Sequence, residues 1–572
     1  MLKKRWNIRE IENNYLVTDL ADSLSISEVL ARLLVLRNIY NFEQAKNFFR
    51  PSLDHLHDPF LMDGMESATY RVIKALTENQ LICIYGDYDV DGTCSTALLY
   101  LFLKELDANV EFYIPKRLTE GYGISKAAID YVKNNGTSLL ISVDCGITAI
   151  EEADYVNELG MDLIICDHHQ PKEEIPRALA VLDPLKPNCN YPFKYLSGAG
   201  VAFKLAQGIS ERIGKRELPL KFLDLVALAE AADIVPLVDE NRVLVKEGLS
   251  SINSKPRPGV EALMTSSRNK VGSLTSGQIV FTIAPRINAV GRLGDAERAV
   301  KLLISNDKIE AEGLAKILES ENYERRKIDE DTFDDALEIV ENSLDLTEEA
   351  AIILHQEKWH PGVIGIVASR LVEKYYRPTI MLTTVDGIAK GSARSISNFN
   401  IYEALKKCQD LLIHFGGHEA AAGLAVEVEK LDEFKFKFNQ IVKESISEED
   451  MLPEIHIDSK LKFSEITSRF LRIMDQFAPF GPGNMRPVFL SEDVEIINTP
   501  RIVGTNHLVL NFRQQNSDKV FDAIGFNMGE YFDTVSKFRP IVDIVYNIDY
   551  SARDGRTFPQ LKLKDLKIKE NI

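Results

Sequence analysis

Carboxylate and imidazole side chains follow three hydrophobic runs in the first half of this 572-residue chain, and a further aspartate follows an apolar helical stretch. The runs, residues 81–85, 139–143 and 163–166, have the length and composition of buried strands in a parallel sheet. Ligand sites in such sheets lie outside the carboxyl ends of the strands, so one crevice is expected to collect these groups. The candidate residues are Asp87, Asp89, Asp91, Asp144, His168, His169 and Asp233.

So many carboxylates in one buried crevice require a cation. Without a metal they would repel one another or take up protons, whereas a pair of hard divalent ions would keep them ionised. Imidazole mixed with carboxylate favours Mn²⁺ over an all-oxygen Mg²⁺ site, and both ions are candidates. Taken singly, Asp144 and Asp233 have the alternative role of helix caps. The order and chemistry of the four clusters favour two metal ions.

These clusters resemble the motifs of the DHH phosphoesterase superfamily. Asp-x-Asp-x-Asp-Gly lies at 87–92, a lone aspartate at 144, Asp-His-His at 167–169 and a final aspartate at 233. Three later segments narrow the resemblance to the RecJ family of bacterial exonucleases specific for single-stranded DNA. They are Trp-His-Pro-Gly-Val-Ile-Gly at 359–365, Gly-Ser-Ala-Arg-Ser at 391–395 and Phe-Gly-Gly-His at 415–418.

The resemblance implies a role for each metal-site residue. Asp89 and Asp91 are expected ligands of the first motif, and Asp144 is expected to bridge two ions. His168 and Asp233 would complete the coordination of one ion. The two ions would hold the attacking and leaving oxygens of an in-line phosphodiester displacement.

Two further residues of these motifs have less direct roles. His169 is expected to bind phosphate or transfer a proton instead of binding a metal. Some DHH relatives place a histidine ligand four residues before the position of Asp89, where this chain has Tyr85. Asp87 either replaces that histidine or is no ligand, and both alternatives stay open.

A glycine pair, Gly416 and Gly417, precedes His418 and the small residues 420–422. The small residues are expected to begin a helix whose free N–H groups would bind a phosphate, and glycine would let the backbone approach closely. Alone, a Gly-Gly pair usually marks a turn. The resemblance implies that His418 binds the scissile phosphate.

Arginines and a tyrosine complete the expected substrate contacts. By resemblance, Ser392 and Arg394 recognise a 5′ phosphate with help from Arg117, which suits the bidentate grip of guanidinium on phosphate oxygens. Tyr122 would stack on a base and Arg292 would hold the DNA backbone. Without the family match, each of these has the alternative of a solvated or turn residue.

Composition neither supports nor excludes a nucleic-acid ligand. The chain has 45% hydrophobic and 27% charged residues and a net charge of −19, although phosphate binding depends on Lys and Arg. Residues 452–572 hold 16 basic and 16 acidic residues, so the preceding part carries the whole negative charge. No apolar run reaches the roughly 20 residues that span a bilayer, and a cytoplasmic protein is expected.

Strand and helix signals predict an α/β protein in which a DHH-type doubly wound parallel sheet is joined by a long helix to a second, DHHA1-type α/β lobe. The first crossover helix is expected at 93–106 and the connecting helix at 308–343. Five β-rich runs after residue 487, with a hairpin signal at Asp554-Gly555, fit a β-barrel of the OB-fold, as the resemblance also implies. The expected domains are 1–307 (helices and DHH domain), 308–346 (connecting helix), 347–450 (DHHA1 domain) and 451–572 (OB-fold).

The resemblance implies a metal-dependent 5′-to-3′ exonuclease that degrades single-stranded DNA to 5′-mononucleotides in recombination and repair. The alternative is a DHH phosphodiesterase acting on short oligonucleotides or phosphorylated nucleotides, although a nucleotide-sized substrate needs no extended C-terminal surface. A catalytically dead DNA-binding scaffold would lack metal ligands that this chain has. Expected partners are single-stranded DNA, a single-strand-binding protein and a helicase, with the chain itself a monomer and no membrane involved.

Overall fold

The computed structural model describes residues 3–116, 120–121, 123–447, 449–515, 517–553 and 556–569. Three expectations fall outside this part of the chain: the roles of Arg117 and Tyr122, and the turn at Asp554-Gly555. The other candidate site residues lie within it.

The chain divides into two units. The parallel-sheet unit comprises Lys46–Glu324 and Gln476–Met485. The mixed-sheet unit comprises Met1–Ala45, Arg325–Asp475 and Arg486–Ile572.

Five parallel strands in the order β3-β2-β4-β5-β6 form the sheet of the parallel-sheet unit. The predicted doubly wound parallel sheet is therefore confirmed. From β2 the chain crosses to the edge strand β3 and then returns to β4 on the opposite side of β2, so strand order reverses between β2 and β4. A crevice opens at such a reversal, which places the first two acidic motifs at its edge. The strands are β2 (Ile82–Gly86), β3 (Val110–Tyr113), β4 (Leu139–Val143), β5 (Asp162–Cys166) and β6 (Ala180–Leu182).

The first crossover helix, α5, begins at Val90, three residues before the predicted start. Asp89 caps it, because one carboxylate oxygen accepts a hydrogen bond from the Gly92 N–H at 3.1 Å. Asp91 therefore lies within the first helical turn and not in a preceding loop. Helices that lie in the parallel-sheet unit or enter it are α3 (Phe42–Phe49), α4 (Met65–Thr77), α5 (Val90–Lys104), α6 (Lys126–Asn134), α7 (Ile150–Glu158), α8 (Gly198–Arg212), α9 (Leu223–Ala232), α10 (Asp239–Ser254), α11 (Pro258–Ser266), α12 (Ser276–Gln278), α13 (Ala284–Leu293), α14 (Glu297–Ile304) and α15 (Lys308–Ser343).

A buried ion pair joins α8 to α10. The Lys204 ammonium lies 2.5 Å from Glu240 Oε1, and neither side chain is exposed. The Tyr191 hydroxyl donates to Glu240 Oε2 at 2.6 Å, and the His57 N–H donates to Oε1 at 2.8 Å. These bonds satisfy charges whose burial would otherwise be costly, and they fix the helix whose N-terminus reaches the candidate site.

The mixed-sheet unit has a five-stranded sheet in the order β10-β11-β9-β8-β7. The predicted strand near residue 352 is confirmed, but the helix predicted for 420–422 is wrong. Ala421 and Ala422 instead lie in β11, which pairs antiparallel with β9 and β10. Pairing on both sides outweighs the weak strand preference of alanine and glycine. The elements are β7 (Ile352–His355), β8 (Thr379–Val385), β9 (Ile388–Arg394), β10 (Leu412–Gly417), β11 (Ala421–Glu427), α16 (Ile364–Tyr375), α17 (Ile401–Lys406) and α18 (Leu431–Ser445).

The C-terminal strands close into a barrel. They run in the order β14-β18-β19-β17-β16, and the β14–β16 pairing completes the circle. The β17–β19 pair alone is parallel among these five, so the connectivity is that of an OB-fold, as predicted. One predicted β-rich run, 501–513, is split into β15 and β16. The elements are β13 (Ser459–Lys460), β14 (Phe489–Ile496), β15 (Arg501–Val503), β16 (His507–Gln514), β17 (Val520–Gly525), β18 (Val542–Arg553), β19 (Arg556–Ile568), α19 (Ser468–Asp475) and α20 (Phe532–Phe538).

The predicted helix at 308–343 is confirmed by α15, within which the boundary between the two units falls. Its hydrophobic stripe is too sparse for a membrane span, and no other helix in the described ranges has the length and apolarity to cross a bilayer. Residues 3–41 form two helices and a strand that pairs in parallel with 454–457. These elements are β1 (Arg5–Ile8), α1 (Tyr15–Leu24), α2 (Glu28–Val35) and β12 (Glu454–Ile457).

Candidate metal centre

The N-terminus of α8 holds the carboxylate of Asp91. The Gly198 N–H donates to Asp91 Oδ2 at 2.6 Å, and the Ala199 N–H donates to Oδ1 at 2.8 Å. A methyl group at Gly198 would lie 2.7 Å from the Asp144 Cβ, so glycine is required where this helix approaches the second acidic motif. A helix N-terminus favours negative charge, and this one holds Asp91 beside Asp144.

His168 lies among three of the predicted acidic ligands. Its Nε2 atom is 3.2 Å from Asp144 Oδ1, 3.6 Å from Asp91 Oδ2 and 3.6 Å from Asp233 Oδ2. Asp91 follows β2, Asp144 follows β4, His168 follows β5, and Asp233 ends α9. The fold thus brings together residues that are up to 142 positions apart in the sequence.

Asp87 and Asp89 form a second group with Asp144. One ligand atom from each of these three carboxylates lies within 4.8 Å of the others. Asp91, His168 and Asp233 satisfy the same criterion, and so do Asp144, His168 and His169. Because Asp144 is shared between groups, the donor set fits two neighbouring cations with a carboxylate between them. Asp87 is buried in its group with Asp89 and Asp144, which favours its inclusion over a purely structural role.

Burial disfavours the ionised form of Asp91, Asp144 and Asp233. Burial, followed by repulsion from Asp91 and Asp89, raises the pKa of Asp233 to about 9. Burial and the same two neighbours raise the pKa of Asp144 well above its usual range, and burial raises the pKa of Asp91. Burial also lowers the pKa of His168, which favours the neutral imidazole that a metal requires. The donor chemistry therefore fits divalent cations.

Asp167 binds the backbone instead of joining the ligand groups. Its Oδ1 accepts from the N–H groups of His168 and His169 and from His169 Nδ1, and its Oδ2 accepts from the Ile147 N–H. Burial opposes the charge of Asp167, yet the bond from His169 holds its pKa below the usual range. Burial also opposes the charge of His169, but Asp167 raises the pKa of that imidazole to about 9. The Asp167 carboxylate therefore favours the cationic form of His169.

Sequence reasoning assigned no site role to Asp167 or Glu230. Glu230 is fully buried behind the α8 N-terminus, where its Oε1 accepts from the Ser197 N–H at 3.3 Å. Burial and the nearby Asp91 raise its pKa well above the usual range. Glu230 is one of two acids in the apolar helix α9, and its place three residues before Asp233 was the available signal.

Helix α13 contacts the first acidic motif. The Asn288 Oδ1 accepts from the Val90 N–H at 3.1 Å, and a methyl group at Gly291 would lie 2.6 Å from the Tyr88 carbonyl oxygen. Arg292 is half-buried on this helix. Arg292 directly follows Gly291, which contacts the first acidic motif at Tyr88. This position is compatible with its expected role of binding the DNA backbone.

Ser392 and Arg394 lie on one face of β9 in the mixed-sheet unit. Arg394 Nη1 donates to Ser392 Oγ at 3.0 Å, and both side chains approach the first turn of α16, since a methyl group at Gly365 would lie 2.7 Å from Ser392 Oγ. Arg394 Nη2 would lie 3.0 Å from the same methyl group. A guanidinium, a hydroxyl and a helix N-terminus together suit a phosphate.

Two glycines extend this face across the neighbouring strands. Ser392 is in register with Gly423 of β11, and Gly423 is in register with Gly416 of β10. A Cβ at either glycine would meet no heavy atom within 4 Å, so the sheet is open there. Gly416 is followed by Gly417, whose φ of 145° is a conformation that favours glycine. The exposed His418 follows, with its backbone N–H bonded to the Ala421 carbonyl at 2.9 Å.

Family models match three parts of the chain. They are the DHH family N-terminal domain over residues 81–229, the DHHA1 domain over 348–444 and the RecJ OB domain over 457–565. The chain is 40% identical over 571 residues to the single-stranded-DNA-specific exonuclease RecJ of Bacillus subtilis (strain 168), covering 99% of this chain and 71% of that protein.

Solved structures of RecJ from Thermus thermophilus are also similar. The complex with Mn²⁺ superposes with a TM-score of 0.84 at 29% identity, over 99% of this chain and 80% of that one. The complex with Mg²⁺ gives 0.78 at 28% identity, over 99% and 79%.

Mn²⁺ binding to the metal-free protein should release protons near neutral pH. An acid with a raised pKa is protonated below that pKa, and the cation binds its ionised form, so Asp233 should contribute about one proton. Apparent affinity should rise about tenfold per pH unit for each proton released, up to the pKa of about 9. Calorimetry in buffers of different ionisation enthalpy measures this release.

Two variants test the source of these protons. Asp233→Asn should release about one proton fewer, whereas Asp162→Asn, at the opposite end of the sheet, should release as many as the wild type. Heats of binding that are independent of the buffer would show that the acids are already ionised.

Proposed function

The chain belongs to the RecJ family of DHH phosphoesterases and is a single-stranded-DNA-specific exonuclease, and we propose that it works from the 5′ end and releases 5′-mononucleotides. The observation that carries this proposal is the position of Asp144 at the carboxyl edge of the parallel sheet. Asp144 lies in one donor group with Asp87 and Asp89, and its Oδ1 is 3.2 Å from His168 Nε2 of the other donor group. A carboxylate placed between two cations can hold them a short distance apart, as the two-metal cleavage of a phosphodiester requires.

Two divalent ions, Mn²⁺ or Mg²⁺, would supply Lewis acidity at the scissile phosphate and a water nucleophile at neutral pH. Asp87, Asp89 and Asp144 would hold one ion. Asp91, His168 and Asp233 would hold the other, with Asp144 as the shared ligand.

His169 has a different role in this proposal. Its Nδ1 is bound to Asp167 at 2.7 Å, which keeps the imidazole charged and directs it. The remaining Nε2–H would donate to a phosphate oxygen or to the departing oxygen of the chain. The Asp167 carboxylate would act only by orienting the ring.

Phosphate recognition is proposed for the open face of the mixed-sheet unit. Ser392 and Arg394 would bind the 5′-terminal phosphate, and His418, with the backbone of Gly416 and Gly417, would bind the scissile one. The bidentate geometry of guanidinium and the open glycine surface support these assignments. By family resemblance, we also propose that Arg292 binds the backbone of the DNA strand and that Arg117 helps to bind the 5′ phosphate. Tyr122 would stack on a base.

The OB-fold favours a DNA strand over the alternative substrate, a short oligonucleotide or nucleotide. In the barrel, Phe512 and Tyr546 are fully buried, whereas Phe526, which follows β17, is 50% exposed and its ring lies 5.1 Å from that of His507. Phe512 and Tyr546 therefore belong to the core of the barrel. Arg513 and Lys562 form ion pairs with Glu495 and Asp549, which a phosphate would have to displace.

Further features of the proposal concern organisation and setting. The domains are proposed as 1–307, 308–346, 347–450 and 451–572. The substrate class implies work on chromosomal DNA in the cytoplasm, in recombination and repair, with a single-strand-binding protein and a helicase as partners of a monomeric enzyme.

Asp144→Ala should abolish hydrolysis and spare DNA binding in metal-free buffer, because this carboxylate serves both donor groups and no base contact is assigned to it. Loss of kcat should exceed about a hundredfold, since even residues behind metal ligands cost about 10–100-fold. Strands labelled at either end, incubated with Mn²⁺, report activity and polarity together. Asp162→Ala is the control, and near-normal turnover in Asp144→Ala would exclude the shared-ligand role.

Arg394→Ala should slow cleavage of 5′-phosphorylated strands far more than that of strands ending in a 5′ hydroxyl. Loss of a charge-assisted hydrogen bond costs about 1.5–3 kcal/mol, or roughly tenfold to a hundredfold in kcat/KM. Lys390→Ala removes an exposed positive charge from the same strand and should affect both substrates alike. An equal loss on both substrates in Arg394→Ala would indicate general backbone binding.

Phe526→Ala should weaken binding of long single strands and leave very short ones unaffected, because one stacked base contributes about 1–3 kcal/mol. A point variant is used because truncation before the barrel would also remove Gln476–Met485 from the parallel-sheet unit. Phe436→Ala, at an exposed aromatic residue on α18, is the control. Fluorescence anisotropy measures the affinity for single strands over a series of lengths. An unchanged affinity of Phe526→Ala for long strands would show that Phe526 has no stacking role.

A further inference from the structure

Residues 476–485 of the parallel-sheet unit pack against the turn that follows Asp233. The Leu237 N–H donates to the Pro482 carbonyl at 2.7 Å. A methyl group at Gly481 would lie 2.6 Å from Leu237 Cδ1, and one at Gly483 would lie 3.0 Å from Val238 Cγ1. The backbone of this segment therefore lies directly on residues 236–238.

Arg242 holds the segment in this position. Its guanidinium, only 3% exposed, donates to the carbonyl oxygens of Phe477 at 2.9 Å, Ala478 at 3.0 Å and Gln476 at 3.2 Å. Its Nε donates to the Phe48 carbonyl at 2.9 Å, and the group stacks 3.8 Å above the Phe48 ring. Lysine cannot reproduce this set of bonds, because it presents a point charge without a planar array of donors.

The segment is also closed upon itself. The Asn484 side-chain amide donates to the carbonyls of Phe477 at 2.7 Å and Pro479 at 2.8 Å. The Phe477 ring is fully buried in edge contacts with Phe48 and Phe49. The segment is thus an internally hydrogen-bonded loop, and the turn packs against it.

The turn itself is strained. Ile234 has φ 62°, a left-handed conformation that a β-branched residue rarely adopts. Its side chain is 62% exposed, so packing of that side chain does not explain the conformation. Such strain persists only where surrounding contacts impose it. The residue before it is Asp233, whose carboxylate lies 3.6 Å from His168 Nε2.

We propose that residues 476–485, clamped by Arg242, brace the turn 233–238 and so direct the Asp233 carboxylate at its metal ion. Arg242 is then a positioning residue of the metal centre, acting through the segment and the turn. This inference rests on the proposed function, in which Asp233 is a ligand. If the brace is weakened, Ile234 relaxes from the left-handed region and carries Asp233 away from His168.

Arg242→Lys and Gly481→Ala test the brace in the full-length protein. The first loosens the clamp, and the second presses on Leu237 without altering Arg242. In each variant, the affinity for Mn²⁺ in the absence of DNA should fall about tenfold, as is typical for residues that orient metal ligands. Electron paramagnetic resonance of the free Mn²⁺ measures this affinity. Arg257→Lys is the matched control, because that partly buried arginine of the same unit binds Asp224 and the Leu303 carbonyl.

Ile234→Gly separates positioning from general destabilisation. Glycine adopts the left-handed conformation without strain, so the turn would keep its shape with less support. Arg242→Lys should therefore weaken Mn²⁺ binding by less than about threefold in an Ile234→Gly background, against about tenfold in the parent. A purely structural role of Arg242 would lower the melting temperature equally in both backgrounds and would not produce this rescue.

Asp233→Ala distinguishes failure of the inference from failure of the site assignment. If Asp233→Ala leaves Mn²⁺ binding unchanged, Asp233 is no ligand and both proposals fall. If it weakens binding while Gly481→Ala and a folded Arg242→Lys bind within about twofold of the wild type, the brace alone is overturned. Gly481→Ala decides the matter if Arg242→Lys does not fold, and an equal loss in both backgrounds also overturns the brace.

Discussion

Repulsion among buried carboxylates is the constraint on which the rest of this structure depends. Asp91 and Asp144 are almost completely buried, Asp233 lies close to both, and burial with mutual repulsion raises the pKa of each. Without a bound cation, burying three neighbouring carboxylates destabilises the folded protein. The arrangement is explained by divalent cations, whose charge reverses the penalty and converts it into binding free energy.

Several local features exist to hold these acids together before a cation arrives. The helix α8 directs two N–H groups at Asp91, and glycine at 198 allows the helix to approach Asp144. Asp144 has φ 60°, an unusual conformation that directs the chain away from β4 at the point where strand order reverses. Preorganisation of this kind removes the cost of rearrangement during catalysis.

Residues that are not themselves ligands hold the ligands in position. Asp167 fixes the backbone and ring of the histidine pair, and Arg242 with residues 476–485 supports the turn after Asp233. Neither group is placed to bind a cation, yet each determines where a ligand lies. In the mixed-sheet unit, Arg394 is likewise held by Ser392 and by the first turn of α16, beside strands whose glycines leave the sheet face open.

The sequence by itself determined the parallel strands, the aspartates and histidines at their ends, the long helix and the barrel, because hydrophobic periodicity and strand-terminal polar residues are local signals. It also suggested the metal chemistry, since the order of Asp89, Asp91, Asp144, His168 and Asp233 is itself informative. Only the tertiary structure decided that Ala421 and Ala422 are paired in a sheet, that Asp167 and Glu230 belong to the site, and that residues 476–485 rest on the Asp233 turn. Those outcomes depend on contacts between residues distant in the chain, whose free energies no local pattern encodes.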